Sequence, residues 1–257
     1  MDLFYREIGV PDGTPVVVLH GLLGSGANWQ SVAREWFASG YRVLLVDLPN
    51  HGRSPRSAEI SYPAMASELS GFFDRTGVER AILVGHSMGG KVAMQFALDY
   101  PDRAGQLVVV DIAPRAYADG HTALLEALRS LDVSAYGARE EVDEALRDRV
   151  PAVEERQFLL KNLAMQNGSG FSWLVDLDAI HSAYPNLLAA VEGDGPYMGP
   201  ALFVRGEASG YVLDGDWLDI VRLFPAAEME TVPGAGHWTH VDAPDVVGEA
   251  IRTFLDF

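Results

Sequence analysis

The sequence predicts an α/β protein: a mostly parallel central sheet, helices on both faces, and a helical block inserted between two strands. Three observations lead there. Short runs of apolar, largely β-branched residues recur along the chain, the mark of strands buried on both faces. Helical patterns fill the gaps between them, as βαβ units with right-handed crossovers require. The rhythm then stops between Pro114 and Pro200, over a stretch too long for a loop.

Taken in order, Leu3 to Ile8 alternates loosely and reads as an edge strand, closed by a turn at Pro11-Asp12-Gly13. Val16-Val17-Val18-Leu19 is the first buried strand. Val43–Val46, Ala81–Val84, Leu107–Val110 and Ala201–Val204 repeat its signature, and Met229–Val232 is a weaker last strand. Helices are predicted over Asn28–Ser39, over Ser61–Thr76 with Pro63 near its start, from the serine motif described below to Tyr100, where Pro101 stops it, and over Pro244–Phe257. The interrupting block carries helical patterns at Thr122–Leu131, Glu140–Val150, Glu154–Gln166 and Asp178–Val191, and no convincing buried strand. The division predicted is a core of residues 1–114 and 200–257 and a helical cap of residues 115–199. Gly193-Asp194-Gly195-Pro196 and Gly199-Pro200 form the return linker.

Composition narrows the function. A length of 257 residues, 48% hydrophobic, suits one large domain or one domain with an insertion. With 19 basic and 36 acidic residues the formal charge is −17, which argues against nucleic acid or an anionic membrane as partner. Lys91 and Lys161 are the only lysines. The absence of cysteine excludes disulfides, thiolate metal sites and a cysteine nucleophile. No signal peptide is visible, and no run approaches the roughly 18 apolar residues of a membrane span, so a cytoplasmic protein is expected. Neither a cofactor nor a metal is implied, and monomer and homodimer both stay open.

The chemistry centres on Gly85-His86-Ser87-Met88-Gly89, between the run Ala81–Val84 and a helical pattern. Strand, G-x-S-x-G, helix is the context of a nucleophile elbow, a turn so sharp that glycines must flank the serine. The serine oxygen then stands at a helix N-terminus, where free N–H groups favour developing negative charge. A serine hydroxyl needs a base. His237, in the glycine-rich loop after the last strand, is the candidate, since such a loop can fold across the strand ends. His51 reads as a structural residue in its turn. His240 beside His237 lacks an acidic cluster that would make a metal site.

The acid that orients the imidazole is not settled by the residues alone. Asp111 ends the strand Leu107–Val110, Glu207 follows Ala201–Val204, and Asp214 lies a little further on, all at strand ends where α/β sites collect. Asp111 stands next to the serine's strand, where a carboxylate is costly unless paired. Opposite the serine, His20-Gly21-Leu22-Leu23-Gly24 leaves the first buried strand in a glycine-rich turn. The Leu22 amide, joined by that of Met88, is the predicted oxyanion hole.

These motifs, with Asn50-His51-Gly52-Arg53-Ser54-Pro55, Tyr62-Pro63-Ala64-Met65-Ala66, Gly85 to Lys91, Asp111-Ile112-Ala113-Pro114 and Ser209-Gly210-Tyr211-Val212, resemble the α/β-hydrolase superfamily, and within it the small bacterial carboxylesterases of the YbfF type. The resemblance spans the whole chain and is least specific in the cap. It implies the α/β-hydrolase fold. It implies Asp111 as the acid, with Ser209 at the usual acid location as a candidate fourth member and Glu207 in reserve. The activity implied is hydrolysis of short- to medium-chain acyl esters, with acyl-CoA thioesters as a further class, through an acyl-enzyme on Ser87 with no cofactor. Leu23, Trp238, Phe158 and Trp173 are expected walls of the acyl pocket. The same triad would serve a C–C bond (β-diketone) hydrolase, and the same scaffold a non-catalytic ligand receptor.

Overall fold

The structure, a computed structural model, describes residues 1–37, 40–166 and 170–256. In chain order the first half holds β1 (Tyr5–Gly9), β2 (Thr14–Leu19), α1 (Gln30–Trp36), β3 (Tyr41–Val46), α2 (Tyr62–Thr76), β4 (Ala81–His86), α3 (Met88–Asp99) and β5 (Ala104–Val110). Then come α4 (Thr122–Arg129), α5 (Arg139–Leu146), α6 (Val153–Leu160), β6 (Leu163–Met165), β7 (Phe171–Trp173) and α7 (Leu177–Leu188). The chain finishes with β8 (Ala201–Gly206), α8 (Trp217–Leu223), β9 (Ala227–Val232), α9 (Thr239–Asp242) and α10 (Pro244–Leu255).

Seven strands form one sheet in the order β1-β3-β2-β4-β5-β8-β9. Only the edge strand β1 runs antiparallel to its neighbour, and every other pairing is parallel. The sheet divides the apolar side chains in two, because successive residues of a strand point to opposite faces. Val17, Leu19, Leu83, Leu107, Val109 and Phe203 enter the core beneath α2 and α3. Val16, Val18, Ile82, Val84, Val108, Val110 and Val204 enter the other, with Trp36 of α1 and Val247, Ile251 and Phe254 of α10. A strand buried on both faces needs no polar alternation, which is why these runs read as continuous in the sequence.

Helix signals act where the sequence placed them. The Ser61 hydroxyl accepts the Ala64 amide at the start of α2, Pro63 sits in its first turn, and Gly77 ends it with φ of 67°. Before α1 the chain makes a short 3₁₀ turn over Gly26–Trp29. The predicted ends Ser39 and Phe257 lie outside the described residues. Among the described residues no helix is long and apolar enough to cross a membrane.

Between β5 and β8 the structure differs from the sequence reading. The helix predicted over Glu154–Gln166 stops at Leu160, and β6 and β7 pair as an antiparallel hairpin with Leu163 opposite Trp173. Asn162 turns the chain there: its amide donates to Leu159 O and its carbonyl accepts from Leu174 N–H. Strands this short are too brief for period-two patterning to be legible. The seven-residue α8 also carries no pattern long enough to predict.

The glycines around Ser87 set how closely α3 approaches the sheet. A β-carbon at Gly85 would lie 2.3 Å from Gly89 O, and one at Gly89 would lie 2.4 Å from Leu19 O on β2. Both contacts are with backbone, which cannot swing aside. Gly89→Ala is therefore expected to cost about 1–3 kcal/mol or more through overpacking. A lowered urea midpoint at unchanged slope is the expected result.

Candidate active site

Parallel pairing brings the ends of β4 and β5 level, with His86 opposite Val110, so the residues that follow them are neighbours. Both leave their strands in left-handed backbone. Ser87 has φ of 52° and ψ of −122°, and Asp111 has φ of 52°. Such conformations are costly for residues with a β-carbon and persist only where the surroundings hold them. Here Ser87 N–H donates to Val110 O and Asp111 N–H to Val204 O, so the sheet ladder continues through both turns. The result lifts the Ser87 hydroxyl to the N-terminus of α3 and turns the Asp111 carboxylate along the strand ends.

His237 arrives from the loop after β9 and lies between them. Ser87 Oγ is 3.1 Å from His237 Nε2, and His237 Nδ1 is 2.8 Å from Asp111 Oδ2. Asp111 is wholly buried, and donors meet it on each side. Its Oδ1 accepts Gly206 N–H at 2.9 Å, and its Oδ2 accepts the Ser209 hydroxyl at 2.5 Å as well as the imidazole. A carboxylate fixes its partner's Nδ1 as the protonated nitrogen, leaving Nε2 to accept a proton from the serine. The other acidic candidates are engaged elsewhere. Glu207 Oε2 accepts the Gly234 amide, and Asp214 pairs with Arg205.

The turn after β2 faces the serine. A β-carbon at Gly21 would lie 3.0 Å from His86 Nδ1 and 3.3 Å from Ser87 Cβ, so the turn packs tightly against the elbow. The Leu22 and Met88 residues line the same cavity, and the Leu22 amide has no hydrogen-bond partner among the described residues. A buried polar frame fixes this turn. His20 Nδ1 donates to Gly21 O while its Nε2 accepts Leu48 N–H. His51 Nδ1 donates to Pro49 O and Nε2 accepts Leu23 N–H, while Asn162 Nδ2 reaches from the insert to Leu23 O. These bonds hold Leu23 at φ of 59°. Asp47 takes Gly26 N–H and Arg53 N–H, and a β-carbon at Gly52 would collide with it. His51 thus has the structural place expected of it.

A cavity of about 590 Å³ opens over Ser87, lined by apolar side chains from the turn, the insert and the loop after β9, among them Leu22, Leu23, Leu124, Phe158, Leu187 and Trp238. Phe158 and Trp238, both lining it, pack against each other with ring centroids 5.7 Å apart. Trp173 is the exception to the expected walls. It lies in β7, partly buried against the main hydrophobic core, and is not among the residues that line the cavity. Side chains that sequence reasoning missed also line it. Lys91, one helical turn after Ser87, is buried and donates to Arg115 O, soon after β5, and to Ala189 O, at the end of α7. Burial, with Arg115 nearby, pulls its amine down to about 7. Tyr211 stacks on His237, and His86 Nε2 donates to His237 O. His240 stacks flat on Trp29 at 4.3 Å, and no His, Asp and Glu cluster suited to a metal occurs among the described residues.

Comparison with known proteins agrees with this architecture. Residues 14–135 match the family model described as the alpha/beta hydrolase fold. The chain is 40% identical over 255 residues to the sn-1-specific diacylglycerol lipase ABHD11 of Danio rerio, covering 96% of this chain and 80% of the relative. It is 34% identical over 246 residues to the esterase YbfF of Escherichia coli K12, covering 95% and 94%. A solved structure titled marine microorganism esterase superposes with a TM-score of 0.95 at 38% identity, covering 98% of this chain and 99% of that one. The chain belongs to the α/β-hydrolase family, as an enzyme of its esterase and lipase type.

The buried histidines predict acid sensitivity. Burial lowers His20 to about 4, His51 and His240 to about 3, and His86 well below its ordinary value. In the unfolded chain each titrates near 6.5. The unfolded state therefore binds protons that the native state refuses. The stability linked to them is fully present above about pH 6.5 and is lost as pH falls toward 4 and 3, by up to about 1.4 kcal/mol per pH unit for each ring. Urea unfolding should show a declining midpoint from pH 6.5 to 4.5. NMR titration should show these rings still neutral at pH 5, and rings that charge above pH 5.5 would contradict it.

Proposed function

We propose that the chain is a serine carboxylesterase that hydrolyses short- to medium-chain acyl esters through an acyl-enzyme. The observation that carries this reading is the hydrogen-bonded line from Ser87 Oγ through His237 to Asp111 at 3.1 and 2.8 Å. Ser87 attacks the ester carbonyl as His237 Nε2 takes its proton, and the Leu22 and Met88 amides stabilise the oxyanion. His237 then protonates the leaving alcohol. Later it activates the water that frees the acid. Asp111 holds the imidazole tautomer throughout, and Ser209 adds a donor to the carboxylate.

We read residues 115–199 as a cap that supplies the acyl pocket and limits water at the serine. Leu23, Phe158 and Trp238 are the walls nearest the site in this reading. The lining is mostly apolar, with Lys91, Arg115, Glu154, Glu155 and Lys161 the charged side chains that also border it, and this supports a hydrocarbon acyl chain. The names of the relatives, an esterase and a diacylglycerol lipase, support ester substrates. Acyl-CoA thioesters are the second class to assay.

Ser87→Ala should lower turnover of p-nitrophenyl butyrate by about 10⁴-fold or more with the thermal midpoint little changed. A fluorophosphonate should label the wild-type protein once per chain and the variant not at all. Asp111→Asn should be far more damaging than Glu207→Gln, and the reverse ranking would move the acid to β8.

A further inference from the structure

The two hydrogen bonds of His237 lie along one edge-to-edge line, from Nδ1 to Nε2. They fix where the nitrogens sit but leave the ring free to pivot about that line. Contacts with the ring faces must restrain the pivot. Tyr211 supplies one, its ring lying over the imidazole with centroids 3.7 Å apart and an interplanar angle of 18°. His86 approaches at 4.8 Å and is tilted by 41°.

Tyr211 is itself fixed from several directions. Its amide donates to Ser209 Oγ at 3.2 Å, the same hydroxyl that donates to Asp111. Its carbonyl accepts the Tyr117 hydroxyl at 2.7 Å. That hydroxyl in turn accepts the amide of Ala113, two residues beyond Asp111. The guanidinium of Arg115 covers the Tyr117 ring at 4.0 Å and pairs with Asp216. The Tyr211 hydroxyl has no hydrogen-bond partner among the described residues, so the useful part of the side chain is its face. That face carries negative charge density, which favours a cation laid against it.

We propose that Tyr211 is a positioning residue for the base. Its ring holds the His237 imidazole in the plane shared with Asp111 and Ser87, and stabilises the imidazolium formed when the serine proton is taken. The Tyr117 hydroxyl anchors it from the start of the insert. The inference rests on the ester-hydrolase reading above. The other titratable groups near His237 are Asp111 after β5, His86 on β4, His240 on α9 and His121 ahead of α4, and the substitutions below leave each in place.

The test is hydrolysis of p-nitrophenyl butyrate from pH 5 to 9 by Tyr211→Phe, Tyr211→Leu and Tyr117→Phe. Tyr211→Phe keeps the face and should stay within about twofold of wild type. Tyr211→Leu should lose about tenfold in kcat, the size expected for a partly desolvated cation over a ring. Its KM should change little. The sign of the pH effect is also fixed. Without the ring the protonated base loses a favourable contact, and the acid limb of kcat/KM moves to lower pH. Tyr117→Phe frees the Tyr211 carbonyl and should give a smaller loss in kcat, about threefold.

An unchanged kcat and unmoved limb in Tyr211→Leu would overturn the inference. So would a change confined to KM, the mark of a simple pocket wall. Should the leucine variant not fold, pentafluorophenylalanine at position 211 keeps the shape and reverses the charge on the face. It should lower kcat and shift the limb in the same direction, and wild-type behaviour would overturn the inference. A wild-type protein that neither hydrolyses the ester nor reacts with fluorophosphonate would overturn the ester-hydrolase reading instead, before any Tyr211 variant is measured.

Discussion

A carboxylate sealed from solvent is tolerable only when donors replace the water it has lost. Asp111 is in that position. Gly206 N–H, the Ser209 hydroxyl and the His237 imidazole share its two oxygens, and each comes from a segment at the carboxyl ends of β8 and β9. Removing the side chain would leave these donors without their acceptor. The loop that carries His237, the turn that carries Ser209 and the end of β5 are therefore held as one unit by a single side chain. That unit decides where the imidazole points.

The backbone supports the same arrangement at its own expense. The residues without glycine's freedom that take positive φ are Leu23, Asn50, Ser87 and Asp111 among the described residues. Three of them, Leu23, Ser87 and Asp111, belong to the turns that converge on the cavity. Asn50 is held by Ser57, and its carbonyl accepts the Asp176 amide from the insert. Strain of this kind costs on the order of 1–3 kcal/mol per residue and survives only against a rigid frame. The frame is the seven-stranded sheet, buried on both faces, together with neutral histidines that bond backbone amides in the turns.

Much of this was legible from the chain because the strands are continuous apolar runs and the elbow's glycines have steric reasons to be where they are. Ser87 and His237, named from their places after strands, and Asp111, implied as the acid by the family resemblance, stand within hydrogen-bond distance in the structure. The choice among acids was not legible from local pattern. Asp111, Glu207 and Asp214 all follow strands, and only the fold reveals that Glu207 turns to Gly234 and Asp214 to Arg205. The hairpin of β6 and β7 escaped because three residues carry no usable period. Trp173 was misplaced for the same reason, since its direction depends on that hairpin. The stack of Tyr211 on His237 joins two loops whose mutual approach no periodicity encodes.

The central claim is that Asp111, at the end of β5, holds the base. Its most direct test is the proton on His237 Nδ1, which a buried carboxylate draws far downfield in the NMR spectrum. That resonance should be present in wild type and in Glu207→Gln, and absent in Asp111→Ala. A downfield Nδ1 proton that survives in Asp111→Ala and disappears in Glu207→Gln would contradict the account.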